Sequence, residues 1–440
     1  MFIDQLPRTG QRFVTTWRFA KDPFGCYRAW KRRFGDNFLV NALNGDVVVS
    51  ANLENIRRIF KASFDEVEPF AVETIHPLVG SRSIFLLQGE EHRRERALLS
   101  PPFHCKGMES QALLIREIAQ RTADRWRPTD EVRIMDAALE VSLEVIFRVV
   151  FGIQTKGEIE TCKRLTIDFV QSFHPILAFT KLFQRSLLGL SPWNRFIKNR
   201  KAFYEFLDCQ IRKSRNHHSD SNSTILGHLT ESVYENGEAV SNEDVRDQLV
   251  SLLLAGHETT QIAIAWGMSW LHRETGYLEE LREQLGHDDS VMAIMKNELL
   301  HGICNESLRL NSVVSDTIRK LTRPMQWEEG ELPEGTNIAI PICLIHEDES
   351  LYPEPFSFRP ERWQERQFKP HEFIPFGGGV RRCIGAPLAM MEMKMVLATW
   401  VLQFEFELPT GYPVSESIYR RNITMAPRSG IPLIFKGQRI

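Results

Sequence analysis

The chain has 440 residues, 42% hydrophobic and 25% charged, a globular composition with room for one large domain or two to three ordinary ones. With 54 Lys and Arg against 57 Asp and Glu the net charge is −3, which gives no electrostatic footing for nucleic acid. The seven cysteines, at 26, 105, 162, 209, 304, 343 and 383, cannot all pair and none lies in a CxxC, so a secreted disulfide scaffold and a cysteine-rich zinc module are set aside.

The opening stretch MFIDQLPRTGQRF is interrupted by Asp4, Pro7 and two arginines, so it reads as neither a signal peptide nor a membrane anchor. Elsewhere the longest apolar run, Leu249 to Gly256, breaks at His257 and Glu258, well short of the roughly 18 residues a spanning helix needs. The expectation is a soluble, cytoplasmic protein without a transmembrane anchor.

Residues 38–50 are β-rich around an Asn44-Gly45 turn and read as a hairpin. Asn52 then caps a short helix, Leu53 to Lys61, followed by a loop of some twenty residues. A charged helix over 90–99 is halted by Pro101 and Pro102. Apolar residues at three- and four-residue spacing predict long helices over 109–126 and 136–151. The polar stretch 216–224 reads as an exposed loop.

Ser241 stands at capping-box spacing before Asp244 and opens a helix of roughly thirty residues to about His272, long enough to cross the middle of a large fold. After a further helix ending near Leu310 the pattern turns to strands and Pro-rich coil. One more helix follows Pro387, and terminal strands lie near 404–408 and 431–435. A mainly α chain with a minor β region, organised as a single large domain over residues 1–440, fits this pattern better than separable domains.

There is no HExxH, no GxSxG and no P-loop, and Gly377-Gly378-Gly379 lacks the further glycine of a dinucleotide fingerprint. The most informative segment is Phe376-Gly377-Gly378-Gly379-Val380-Arg381-Arg382-Cys383-Ile384-Gly385. It joins flexible backbone, a basic pair and one cysteine just before a helix that Pro387 starts. The positive end of that helix and the arginines favour the thiolate, a metal ligand or a nucleophile.

This segment resembles the haem loop of the cytochrome P450 family, Phe-x-x-Gly-x-Arg-x-Cys-x-Gly, at Phe376, Gly379, Arg381, Cys383 and Gly385. Glu306-Ser307-Leu308-Arg309 resembles the family's Glu-x-x-Arg pair, and Phe358 to Trp363 the segment whose arginine, here Arg362, locks it. Ala255 to Thr260 resembles the oxygen-activating stretch. The likeness covers nearly the whole chain, and it implies the family's fold and haem b with Cys383 as axial thiolate.

By the same resemblance His92, Arg96, Arg319 and Arg381 hold the haem propionates, with His92 where the family often has Trp. Phe376 and Gly385 bind the cofactor from the loop, and Glu258 and Thr259 form the acid and alcohol pair that delivers protons during dioxygen activation. Ile84, Phe85, Ala255, Val314 and Ile423 fall at substrate-pocket positions. The implied activity is insertion of one oxygen atom of O2 into an apolar small molecule, terpenoid or fatty-acid-like, by a monomer fed by a separate ferredoxin and ferredoxin reductase. A peroxide-using haem-thiolate enzyme and a non-enzymatic haem sensor are the rival readings.

The segments 70–87 and 175–190 are rich in Leu, Ile and Phe and suit an apolar guest. Arg93, Arg94, Arg382 and Lys394 are expected to form the basic contact for an acidic electron donor. Where the family usually places Pro after the Glu-x-x-Arg arginine, this chain has Asn311-Ser312. Asp316, beyond it, is expected to face solvent or pair with an arginine, because an unpaired buried carboxylate is costly.

Overall fold

The hairpin expected around Asn44-Gly45 forms, with Asn37–Ala42 antiparallel to Gly45–Ser50 and paired from Asn37↔Ser50 to Ala42↔Gly45. Its loop residues are Leu43 and Asn44. Gly45 opens the return strand at φ 122°, a conformation that a side chain resists. In this computed structural model the residues described are 2–70, 72–103, 108–173, 191–216 and 224–439. They are mainly helical, with minor β structure. The sequence segment 175–190 and most of 216–224 lie outside them.

The chain divides into two units, one built from Met1–Phe70, Ala112–Val141 and Glu258–Ile440 and the other from Ala71–Gln111 and Ser142–His257. In the first, the hairpin belongs to a five-stranded sheet ordered Asn37–Ala42, Gly45–Ser50, Asn337–Pro341, Asp316–Leu321, Val67–Glu68. Gly45–Ser50 and Asn337–Pro341 run parallel, with Val48 opposite Ile338, and the other pairs are antiparallel. A smaller sheet sets Pro432–Gln438 between Glu131–Arg133 and Phe404–Glu407.

The helix Ala386–Gln403 is buried without interruption from Met391 to Val401. It lacks a polar stripe, as a helix surrounded by protein does. Trp400 lies near the end of this stretch, its indole N–H donating to the Ala119 carbonyl at 3.0 Å. Trp126 meets Trp400, Phe406 and Phe435 edge-on at centroid distances of 5.6, 5.6 and 5.7 Å. In the second unit Phe169 stacks on Phe196 and Phe203 at 5.9 and 5.2 Å.

Local signals set several boundaries. The Asn52 side chain accepts the Glu54 and Asn55 amides, at 2.9 and 3.0 Å, and opens Leu53–Lys61. Ser241 accepts the Asp244 amide at 3.1 Å and returns its hydroxyl to that carboxylate at 2.7 Å, which starts the Asn242–Arg273 helix.

The segment expected as one helix over 136–151 is α-helical only over Ile134–Val145. It continues as a π turn over Ile146–Val150, where the Phe151 amide reaches back five residues to the Ile146 carbonyl at 3.0 Å. Apolar spacing reports a buried face through both, so it does not register the change of ladder.

Glu306, on the Glu298–Leu310 helix, is fully buried between two guanidiniums. Arg309 donates to both of its oxygens, at 2.8 and 2.9 Å, and Arg362 donates at 2.9 Å. The Arg359 amide at 3.0 Å and the Trp363 indole at 3.2 Å complete its shell. This is the triad expected from Glu306, Arg309 and Arg362.

Arg362→Met keeps an apolar stem but leaves Glu306 short of one charge partner. Breaking such a buried network costs about 3–5 kcal/mol. The denaturant midpoint should fall accordingly, whereas a loss below about 1 kcal/mol would be the behaviour of a solvated pair.

Candidate active site

The glycine run 377–379 is dictated by its neighbour. Gly377 and Gly379 sit at φ 65° and 66°, and a Cβ on Gly379 would lie 2.7 Å from the Phe60 carbonyl oxygen. A Cβ on Gly378 would strike the Phe60 ring at 2.3 Å. The Leu53–Lys61 helix therefore presses on the loop so closely that only glycine fits. The loop closes through the Cys383 amide, which donates to the Phe376 carbonyl at 2.9 Å, and through Arg382 to Gly379 at 3.0 Å. Among the described cysteines Cys383 alone is exposed. Phe376, Arg381 and Gly385 are half-buried, and the Ala386–Gln403 helix, with Pro387 in its first turn, begins directly after Gly385.

Arg319 lies on the Asp316–Leu321 strand, buried, and reaches toward the same loop. Its guanidinium donates to the Thr317 hydroxyl at 2.8 Å, the Ile318 carbonyl at 2.9 Å and, at 3.5 Å, the Gly378 carbonyl. No carboxylate within ion-pair distance of it is found among the described residues, and burial alone pulls its pKa down to about 10. A guanidinium buried beside a cysteine loop, with no acid of its own, is suited to an anionic ligand group. The residues present therefore fit a haem, whose propionates would supply that anion and whose iron needs the thiolate.

The Asn242–Arg273 helix is buried on both sides of its centre, whereas residues 254–259 are only half-buried. Ala255, Glu258 and Thr259 all lie in that stretch. Gly256 is set against Ile146, where an added Cβ would meet the side chain at 3.1 Å. The Glu258 carboxylate takes an ion pair from Arg421 at 2.9 Å, and the Thr424 hydroxyl beside it donates to the Arg421 carbonyl at 2.8 Å. Both residues belong to the hairpin Ile418–Arg421/Thr424–Pro427.

That hairpin is tied to the 313–314 segment. Val314 bridges Thr424, and the Met425 amide donates to the Val313 carbonyl at 2.8 Å. Val314 is half-buried, and Ile423, at the hairpin tip, is 68% exposed. Sequence reasoning missed Arg421 as the partner of Glu258, since nothing local links positions 163 residues apart.

In the second unit His92 and Arg96 lie one turn apart on the Gly89–Leu99 helix, His92 buried and Arg96 half-buried. The preceding loop is fastened to the long helix. The Arg82 guanidinium meets Asp244 at 2.6 Å, the Ser83 and Ser251 hydroxyls are 2.7 Å apart, and the Ile84 amide donates to Gln248 at 3.1 Å. Ile84 is buried and Phe85 half-buried. Gln248 and Ser251, polar residues in an apolar stretch, were the overlooked signal for this fastening.

Two expectations are corrected. Asp316 is half-buried and has no arginine within ion-pair distance among the described residues: it accepts hydroxyls from Ser315 at 2.7 Å and Tyr27 at 3.0 Å, and burial raises its pKa. Of the four expected docking residues only Arg382 is exposed. Lys394 is buried and donates to the Met295 carbonyl at 2.7 Å, Arg93 is paired with Glu90, and Arg94 lies over the Tyr234 ring at 4.1 Å.

The cytochrome P450 family model matches residues 9–433. Cytochrome P450 138 of Mycobacterium tuberculosis is 32% identical over 408 residues, 91% of this chain and 88% of that protein. Cytochrome P450 135A1 of the same species is 32% identical over 424 residues, covering 93% and 90%. Among solved structures, the retinoic-acid-bound cyanobacterial CYP120A1 superposes with a TM-score of 0.84 over 99% of both chains at 21% identity. The haem domain of cytochrome P450DA gives 0.84 over 99% and 97% at 19% identity.

The chain belongs to the cytochrome P450 family, monooxygenases that hold haem iron through a cysteine thiolate. No described helix is long and apolar enough to cross a membrane.

Burial raises the Glu258 pKa above the ordinary carboxylate range, with Arg421 and then Thr424 opposing the rise. Arg421→Gln removes a lowering influence, so the midpoint moves further up. Because the folded protein holds this proton more tightly than the unfolded chain does, the associated stability is complete below the unfolded carboxylate range and is lost as pH rises through the folded midpoint. Infrared titration of the protonated carboxyl band, assigned by its loss in Glu258→Gln, should show the upward shift. A midpoint unchanged or lowered in Arg421→Gln would refute it.

Proposed function

We propose that Cys383 is the axial ligand of haem b in a monooxygenase that hydroxylates an apolar small molecule, with electrons from a separate ferredoxin and its reductase. The observation that carries this reading is the pairing of an exposed cysteine, in a loop that Phe60 restricts to glycine, with Arg319, buried beside that loop with no acid against it among the described residues. When bound, the haem supplies dioxygen activation.

The protein's own work is then to hold and to deliver. The Cys383 thiolate donates electron density. Arg319 and Arg381 neutralise the propionates, and the family pattern assigns His92 and Arg96 to the same task. The Glu258 carboxyl, its pKa raised by burial, keeps a proton available at higher pH than an exposed acid would. By the family resemblance it forms, with the Thr259 hydroxyl, the acid and alcohol pair that delivers protons.

An acid and alcohol pair of this kind favours dioxygen over peroxide as the oxidant. Ile84, Phe85, Ala255, Val314 and Ile423 are the apolar contacts for the guest. The retinoic-acid-bound neighbour supports a terpenoid or fatty-acid-like substrate, since the same fold there accepts an extended apolar molecule. Arg382, exposed next to Cys383, supports contact with an acidic ferredoxin. On this reading the protein is a cytoplasmic monomer.

Replacing Cys383 with His should abolish the red-shifted band of the ferrous carbon monoxide complex, and its survival would remove Cys383 from the iron. Thr259→Ala should retain haem and the substrate-induced spin shift while diverting reducing equivalents to peroxide, about 10²-fold or more against product. Unchanged product per NADPH would end the proton-delivery role. A spin-shift screen of terpenoids and fatty acids against polar compounds tests the substrate class.

A further inference from the structure

The helix Arg12–Lys21 packs Phe19 inward, against Tyr27 and Trp30 at 5.1 and 6.0 Å, yet leaves most of its large apolar side chains in water. It buries Thr15 and half-buries Thr16, while Phe13 is 69%, Val14 41% and Trp17 52% exposed. Phe13 and Trp17 are one turn apart and share a face, and Lys21, one turn further, places its ammonium 3.8 Å over the Trp17 ring. The inward threonines have a function of their own. The Thr16 hydroxyl accepts the Leu43 amide at 3.0 Å and so fixes the hairpin loop against the helix. Leu43, in that loop, is 61% exposed. Four large apolar side chains, from two elements bound to each other, thus stand in solvent.

The charge around them is mainly positive. Residues 12–21 contain Arg12, Arg18 and Lys21 and no acid, and residues 1–34 hold eight Lys and Arg against Asp4 and Asp22, in a chain whose total is −3. Some of this charge is answered within the protein: Arg12 pairs with Asp46, Arg28 with Glu347, and Lys31 with Asp36 and Asp348. Arg18 and Lys21 have no carboxylate within ion-pair distance among the described residues, and both are exposed. Trp and Phe flanked by Arg and Lys is the chemistry of a surface that enters the headgroup region of an anionic bilayer, where the rings take the interfacial layer and the cations meet lipid phosphates.

We propose that the Arg12–Lys21 helix and the Leu43 loop form a peripheral docking surface for an anionic lipid membrane, which holds the protein on the bilayer without a spanning segment. The proposal is independent of the substrate and of the electron donor.

The test uses the full-length haem-loaded protein and vesicles of phosphatidylcholine with or without phosphatidylglycerol. Wild type should co-sediment with the mixed vesicles, bind pure phosphatidylcholine at least tenfold more weakly, and be released as salt rises. The double variant Phe13→Ser/Trp17→Ser should lose at least tenfold in binding. Arg18→Gln/Lys21→Gln should lose the preference for the anionic lipid, each cation contributing roughly fivefold. An intact ferrous carbon monoxide band in both variants establishes that they are folded.

Equal binding of Phe13→Ser/Trp17→Ser and wild type, or no partition of wild type onto mixed vesicles, would overturn the proposal. So would a concentration-dependent dimer that the same aromatic substitutions abolish, since the occupant of the face would then be a second copy of the chain.

Discussion

Glu306 is a full negative charge with no access to water, and much of the first unit is arranged so that it can stay there. Its two guanidiniums are themselves tethered. Arg309 donates to the carbonyls of His346, Pro355 and Ser357, and Arg362 to that of Pro353. Irregular backbone between 346 and 357, which no sheet or helix ladder satisfies, is thus ordered by charged donors.

The constraint continues along the chain to the site. The buried His346 ring has its pKa pulled down to about 3, first by burial and then by Arg309, so it stays neutral and its Nε2 accepts the Ile374 amide at 3.0 Å. The Gly377 amide in turn donates to the Ile374 carbonyl at 3.0 Å. From Glu306 to the first turn of the cysteine loop the connection is three residues deep: Arg309, His346, Ile374. The carboxylate set by one helix therefore fixes where the loop after Ile374 begins.

What the sequence made legible follows the reach of each interaction. The caps at Asn52 and Ser241 act within three residues, so the residue type at the spacing is the whole mechanism. The spacing of Glu306 and Arg309 puts them on one face of any helix, and Arg362 could be named only because a family pattern linked it to them. Phe60 is different. It forbids side chains at Gly378 and Gly379 from more than 300 residues away, so the glycines were visible while their cause was not. Asp316 was misjudged because cost arguments for buried carboxylates consider charges first, and two hydroxyls proved sufficient partners for an acid that burial pushes toward its protonated form. Lys394 was misjudged because a lysine on an exposed helix and one on a helix surrounded by protein look alike in sequence.

Two arginines of the first unit show how a structural charge differs from one reserved for a ligand. Arg309 and Arg319 are both buried and both donate to backbone carbonyls. Arg309 has Glu306 against it, so its charge is neutralised within the protein and its cost is met at folding. Among the described residues Arg319 has only a hydroxyl and carbonyl dipoles, which orient the guanidinium without cancelling its charge. A protein that only needed to fold would gain by supplying an acid there or by replacing the arginine with an apolar residue. Retaining a buried cation without its counter-charge is favourable when an anion arrives from outside the chain, and the loop that Arg319 touches is the one that presents Cys383.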